Sequence, residues 1–256
     1  MTTNHKKANS LRFIKTLKTI ELIDCMIGAD GCSALGSSLS KAATSHITNL
    51  RLDFNINIKN DGIQKLFQEI RENVSLKTLS LGYCEITGRP GNEDRDNDIS
   101  QSISPWLKAL KCPLKELNLE GNKLTTRAFR GICDVIAGNN SLSQLNVSSN
   151  GMCLDETTIE HLSKAILDCK TLVQLDLREN LLTEESARVL SKAMLDAKQV
   201  QRIQISPMVP SEPFEAMLKL MKERKPTPEK KVVLCLCIFL FFIFIFIFIF
   251  IFIFYF

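Results

Sequence analysis

One spacing of aliphatic residues recurs seven times along this chain: an aliphatic, two intervening residues, an aliphatic, one residue, an aliphatic. The sets are Leu17, Ile20, Leu22; Ile47, Leu50, Leu52; Leu76, Leu79, Leu81; Leu114, Leu117, Leu119; Leu142, Leu145, Val147; Leu172, Leu175, Leu177; and Val200, Ile203, Ile205. They start at residues 17, 47, 76, 114, 142, 172 and 200, so the intervals are 30, 29, 38, 28, 30 and 28 residues. Six of the sets lead into apolar residues at helical spacing: Gly31, Leu35, Leu39; Gly62, Leu66, Ile70; Ile103, Leu107; Ala128, Ile132, Ile136; Leu162, Ile166; Leu190, Met194. Period two followed by a period near 3.6 reads as one strand and one helix per unit. Such a unit cannot bury its aliphatic face alone, so the units must stack and share a continuous core.

A second mark follows each of the first six sets. Three residues past the last aliphatic stand Cys25, Asn55, Cys84, Asn122, Asn150 and Asn180. Asn or Cys there can bond backbone groups where the chain leaves the strand, which predicts a side-chain ladder running along the array.

The triplets, the Asn/Cys position and the helical tail together resemble the leucine-rich repeat family, in its ribonuclease-inhibitor type, over roughly residues 11–225. The segment from Leu172 to Met194, LVQLDLRENLLTEESARVLSKAM, is a close match to the family pattern. The resemblance implies an α/β fold: a right-handed solenoid or horseshoe of about seven repeats, with a parallel sheet on the concave face and α-helices on the convex face.

In a strand the residues between the aliphatics point the other way. One exposed row is therefore Glu21, Arg51, Ser80, Asn118, Asn146, Asp176 and Gln204, and the next is Ile23, Asp53, Gly82, Glu120, Ser148, Arg178 and Ser206, with Phe54 and Tyr83 at the strand exits. The residues expected to meet a protein partner are Glu21, Arg51, Asp53, Phe54, Tyr83, Asn118, Glu120, Asn146, Asp176 and Arg178, a polar surface of mixed sign with aromatic anchors. The competing reading is a solvated sheet face with no dedicated partner.

The 38-residue interval places an insertion, residues 88–98, at a strand-to-helix connection. Its Pro, Gly and charges read as an exposed loop. Its acids Glu93, Asp94, Asp96 and Asp98 lack the spacing of a calcium loop. Pro105, preceded by Ser104, is expected to restart or kink the helix that follows.

No catalytic constellation is visible. The three His (His5, His46, His161) lie apart from any nucleophile or metal set, and no phosphate-binding or nucleophile-elbow motif occurs. The expectation is a non-enzymatic scaffold that binds a protein, uses no cofactor or metal, and has a monomeric body. The family resemblance leaves open a regulator of an enzyme, either a GTPase activator of the Ran-cycle type or a ribonuclease inhibitor, and a fragment of a NOD-like receptor. Net charge is only +4, with no long basic run, so nucleic acid is not an expected partner. Nine Cys, with no C-x-x-C pair, and a polar start read as a reducing, cytoplasmic setting. The sequons at Asn73, Asn139 and Asn146 then read as chance matches.

The sequence divides into a polar N-terminal tail (1–10), the repeat body (11–221), a charged linker (222–231) and an apolar segment (232–256). That last segment holds 10 of the 15 Phe and none of the charged residues. As a helix its 25 residues would measure about 37 Å, enough to span a bilayer, with Lys and Arg on the near side. One reading is a membrane tail anchor with the repeats facing the cytosol. The other is a translated simple-sequence tract, since the run alternates Ile and Phe almost without a break.

Overall fold

The computed structural model describes residues 15–40, 46–87, 99–206 and 211–224. Within them strands and helices alternate. The strands of the main sheet are β1 (Thr19–Glu21), β2 (Asn49–Arg51), β3 (Thr78–Ser80), β4 (Glu116–Asn118), β5 (Gln144–Asn146), β7 (Gln174–Asp176) and β9 (Arg202–Gln204). They form one parallel seven-stranded sheet in that order. Two further short strands, β6 (Cys153–Leu154) and β8 (Leu181–Leu182), pair in parallel in the connections that precede helices. The helices are α1 (Ala29–Leu39), α2 (Lys59–Ile70), α3 (Ile99–Leu107), α4 (Thr126–Ala137), α5 (Glu156–Asp168), α6 (Glu184–Asp196) and α7 (Ser211–Glu223).

Register follows the aliphatic triplets. The middle residues Ile20, Leu50, Leu79, Leu117, Leu145, Leu175 and Ile203 are paired in sequence across the sheet. All but Ile203 are buried, and Leu17, Leu22 and Ile203, in the first and last repeats of the described residues, are only partly so. Opposite them the predicted helical apolar positions close a single core that runs the length of the array.

The predicted ladder forms. The Asn122 carbonyl oxygen accepts from the Cys84 and Ile86 amides, while its NH2 group donates to the Leu81 and Leu119 carbonyls. Asn55, Asn150 and Asn180 repeat the arrangement against their own preceding repeats. Cys84 is buried and its thiol donates to Leu52 O, and desolvation pushes that thiol up to about 12. Cys25 differs from it and is exposed, and it stands in the first repeat of the described residues.

A second ladder, which the triplets do not announce, closes the helix exits. Asn73 donates to Leu39 O and Asn139 to Leu107 O, each satisfying a carbonyl at the end of the preceding helix. Each also accepts from the amides two and three residues on, Ser75 and Leu76 or Ser141 and Leu142. The Asn-x-Ser sequences at Asn73 and Asn139 are therefore Asx turns with buried asparagines, which leaves no room for a glycan. Trp106, Gln199 and Arg224 serve the same exits: the Trp106 indole donates to Asn73 O, Gln199 to Ile166 O and Cys169 O, and Arg224 to the Met194, Ala197 and Val200 carbonyls.

Pro105 does not start a new helix. α3 runs from Ile99 to Leu107 with Pro105 inside it, near the end, where Trp106 and Leu107 are anchored in the core. The insertion 88–98 and the segment 232–256 lie outside the described residues. Among the described residues no helix is long and apolar enough to cross a membrane.

Candidate functional site

The residues between the inward aliphatics line the solvent face of the sheet. A groove of about 450 Å³ runs across it from Arg51 to Arg202 and Gln204. Its floor includes a third row, outside the two expected: Thr78, Glu116, Gln144, Gln174 and Arg202. These occupy the position immediately before the middle aliphatic. The alternation rule that selects the other two rows selects this one too.

The charged residues are arranged in pairs along the repeats. Arg51 lies 3.6 Å from Glu21 and 3.3 Å from Asp53. Asp176 holds Arg178 through both carboxylate oxygens, with a closest contact of 2.6 Å, and this raises the guanidinium's pKa further. Asn146 donates to Glu120 and Asn118 donates to Ser80 Oγ, so neutral side chains bridge neighbouring repeats.

Of the ten expected contact residues, Arg51, Asn118, Asn146 and Asp176 line the groove. Asp53 departs from the rest. It is buried, and its Oδ1 accepts from Ser80 Oγ and the Gly82 amide. It stiffens the β2–β3 edge and presents no free carboxylate. Glu21 stands at the β1 edge of the sheet. Glu120 and Arg178 continue the next row.

Phe54 and Tyr83 form a separate feature at the strand exits. Their rings stack with centroids 4.7 Å apart and planes 3° apart. Both have positive φ, 63° and 55°, a conformation rarely taken by bulky side chains. Phe54 is half exposed, and Ile23, Met26 and Ile56 beside it are exposed as well.

Among the described residues this face assembles no catalytic set, and no group of His, Cys, Asp and Glu is placed to hold a metal. His161 Nδ1 lies 2.9 Å from Asp134, but this pair joins helices α5 and α4, away from the sheet. Burial pushes the Cys32 thiol up to about 12 and raises that of Cys133 further, so neither is a ready nucleophile.

The comparisons with known proteins agree with this architecture. A family model described as Leucine Rich repeat matches residues 72–89. The chain is 24% identical over 213 residues to a mouse (Mus musculus) ribonuclease inhibitor, covering 73% of this chain and 44% of that protein. It is 25% identical over 179 residues to human (Homo sapiens) NACHT, LRR and PYD domains-containing protein 13, covering 70% of this chain and 16% of that protein. It is 26% identical over 164 residues to a Caenorhabditis elegans protein phosphatase 1 regulatory subunit 37 homolog, covering 62% of this chain and 16% of that protein. The chain thus spans less than half the length of each of these relatives. With strand–helix repeats in one parallel sheet and an asparagine ladder along them, the chain has the leucine-rich repeat architecture and is similar to ribonuclease-inhibitor-like members among these relatives.

Proposed function

We propose that the body is a protein-interaction scaffold that acts by binding, without catalysis, and receives its partner on the solvent face of the sheet. The observation that carries this reading is the groove from Arg51 to Arg202, a continuous surface lined mainly by polar residues with leucines between them, on a hydrogen-bonded sheet. A preformed surface loses little ordering entropy on binding. Glu116 and Asp176 line the groove, Arg178 is held by Asp176 beside it, and these three are the residues we assign to partner contact. The Asp176–Arg178 pair favours register and selectivity over raw affinity.

Regulation of an enzyme through the same face is the second reading. It is favoured by relatives named as a ribonuclease inhibitor and as a phosphatase regulatory subunit.

The test is capture of cellular proteins on the full-length chain, with Glu116, Asp176 and Arg178 replaced together by Ala. All three are at least partly exposed, so the variant is expected to fold. Loss of a saturable partner supports the assignment, and undiminished capture overturns it. Assaying ribonuclease and phosphatase activity in the presence of the chain separates the second reading from simple scaffolding.

A further inference from the structure

One row of residues runs alongside the sheet where the chain leaves each strand: Asp24, Phe54, Tyr83, Gly121, Ser149 and Glu179. All six have positive φ. Their amides extend the inter-repeat ladder: Asp24 N–H donates to Asp53 O, Phe54 to Gly82 O, Tyr83 to Glu120 O and Gly121 to Ser148 O, at 2.8–3.0 Å. Side chains in this row therefore meet at the spacing of the sheet, about 4.7–4.9 Å between strands. That spacing is why Phe54 and Tyr83 stack at 4.7 Å.

The far side of Tyr83 rests on Gly121, where a Cβ would stand 2.2 Å from the ring. Only a glycine leaves that space. The remaining face of Phe54 turns toward the Asp24 end of the row. Around it Phe54 is 50% exposed, Met26 81% and Ile56 58%, which makes an uncovered apolar strip.

The charges around this strip do not balance. Arg51 is paired with Glu21 and Asp53, and Lys123 with Glu85. Asp24 forms no ion pair among the described residues, whereas Glu120 accepts from the Tyr83 hydroxyl and the Asn146 amide and also interacts with the Arg178 cation. An apolar aromatic strip with the unpaired Asp24 carboxylate at its open end is complementary to a cation carried on an apolar segment.

We propose that this strip docks a linear segment of a partner protein in which an arginine is flanked by aliphatic side chains. The guanidinium lies on the open face of Phe54 and pairs with Asp24, and the aliphatic neighbours cover Met26 and Ile56. Arginine fits better than lysine because its planar group stacks on a ring while still donating to a carboxylate. The proposal rests on the interaction-scaffold reading but uses the rim of the sheet instead of the groove.

The experiment is fluorescence polarisation of a labelled peptide of alternating arginine and leucine against the full-length chain in mild detergent. Control peptides carry lysine or glutamate in place of arginine. Saturable binding is expected, weakened about tenfold by Phe54→Ala and several-fold by Asp24→Asn, with the lysine peptide weaker and the glutamate peptide silent. Phe54→Asn should show the same loss as Phe54→Ala. Asn accepts positive φ readily, so it removes the ring without disturbing the turn. Equal binding by wild type and both Phe54 variants overturns the proposal. So does equal binding of the glutamate peptide, or a self-association of the chain that Phe54→Ala abolishes. If the rim variants bind the peptide normally while the Glu116, Asp176 and Arg178 variant loses its cellular partner, the rim proposal fails and the groove reading stands. If the rim variants lose the peptide while the groove variant captures its cellular partners undiminished, the rim proposal stands and the groove reading fails.

Discussion

Asn122 touches five backbone groups with one amide side chain, the amides of Cys84 and Ile86 and the carbonyls of Leu81, Leu119 and Glu120. It is buried, so Asn122→Ala leaves several of these groups without water or partner. The expected cost is about 2–4 kcal/mol by urea unfolding, while Asn118→Ala on the solvent row should cost under about 1 kcal/mol. A loss at Asn122 no larger than at Asn118 would show that the ladder is decorative. Phe54 poses the opposite case. Its left-handed backbone costs about 1 kcal/mol or more, and its stack on Tyr83 returns roughly 0.5–1.5 kcal/mol. Phe54→Gly removes both contributions while adding chain entropy, so its urea midpoint should stay close to that of the wild type. A shift equivalent to more than about 2 kcal/mol would mean the ring is a structural strut. The Asn/Cys position is legible in the sequence because its residue type recurs at a fixed offset. The aromatic pair is legible only as two exposed rings, since its stacking depends on a backbone conformation that the residues themselves disfavour.

Among the helices, local chemistry sets where each one begins. Thr125, Asp155 and Thr183 each accept from an amide in the first turn of α4, α5 and α6, whereas Gly28 and Ile58 supply no such cap to α1 and α2. Thr158, whose amide donates to it at 2.9 Å, holds the Asp155 carboxyl below its ordinary range. A carboxylate with a lowered folded-state pKa stabilises the fold fully above its unfolded value near 3.9, and that contribution fades as pH falls through the folded value. Asp155→Ala should therefore cost about 0.5–2 kcal/mol at neutral pH, and the gap to wild type should narrow below about pH 4. Asp155→Asn keeps a competent cap and should track the wild type at neutral pH. A gap that stays constant down to acid pH would assign the loss to something other than the charged cap. Pro105 is where local signal and structure part. Next to a serine it has the form of a fresh helix start, but Ile99, Ile103, Trp106 and Leu107 bury one continuous face, and packing overrides the local signal.

Along the full array the repeats behave as a line in which each unit leans on its neighbours. Interior positions should consequently cost more than end positions when truncated. Leu145→Ala, in the middle of the sheet, is expected to lose about 2–5 kcal/mol, and Ile203→Ala in the last strand less than half of that. Comparable losses at both sites would argue against the one-dimensional picture. At the last described residue, the Arg224 guanidinium reaches the Met194, Ala197 and Val200 carbonyls, and partial burial lowers its pKa. Arg224→Ala should expose those carbonyls and speed hydrogen exchange in α6 and β9 first, with protection in β4 and β5 kept. Uniform acceleration over the array would mean that the end repeat is not a separate unit of stability.

The repeat, the parallel register and the core are all written in the order of the amino acids. Hydrophobic burial depends on residue type and period, and both are set by the spacing of Leu79, Leu117 and Leu145 and their flanking aliphatics. The first ladder is written there too, because Asn55, Asn122, Asn150 and Asn180 satisfy backbone groups that every repeat must satisfy. Which polar residues remain available is settled only on folding. Asp53 reads as a surface acid until Ser80 and Gly82, supplied by the next repeat, bury its carboxylate. Phe54, Tyr83 and Gly121 lie 29 and 38 residues apart in sequence yet meet ring on ring on bare backbone. Surface character of that kind comes from what a neighbouring repeat places one strand spacing away, and only the folded stack brings those neighbours together.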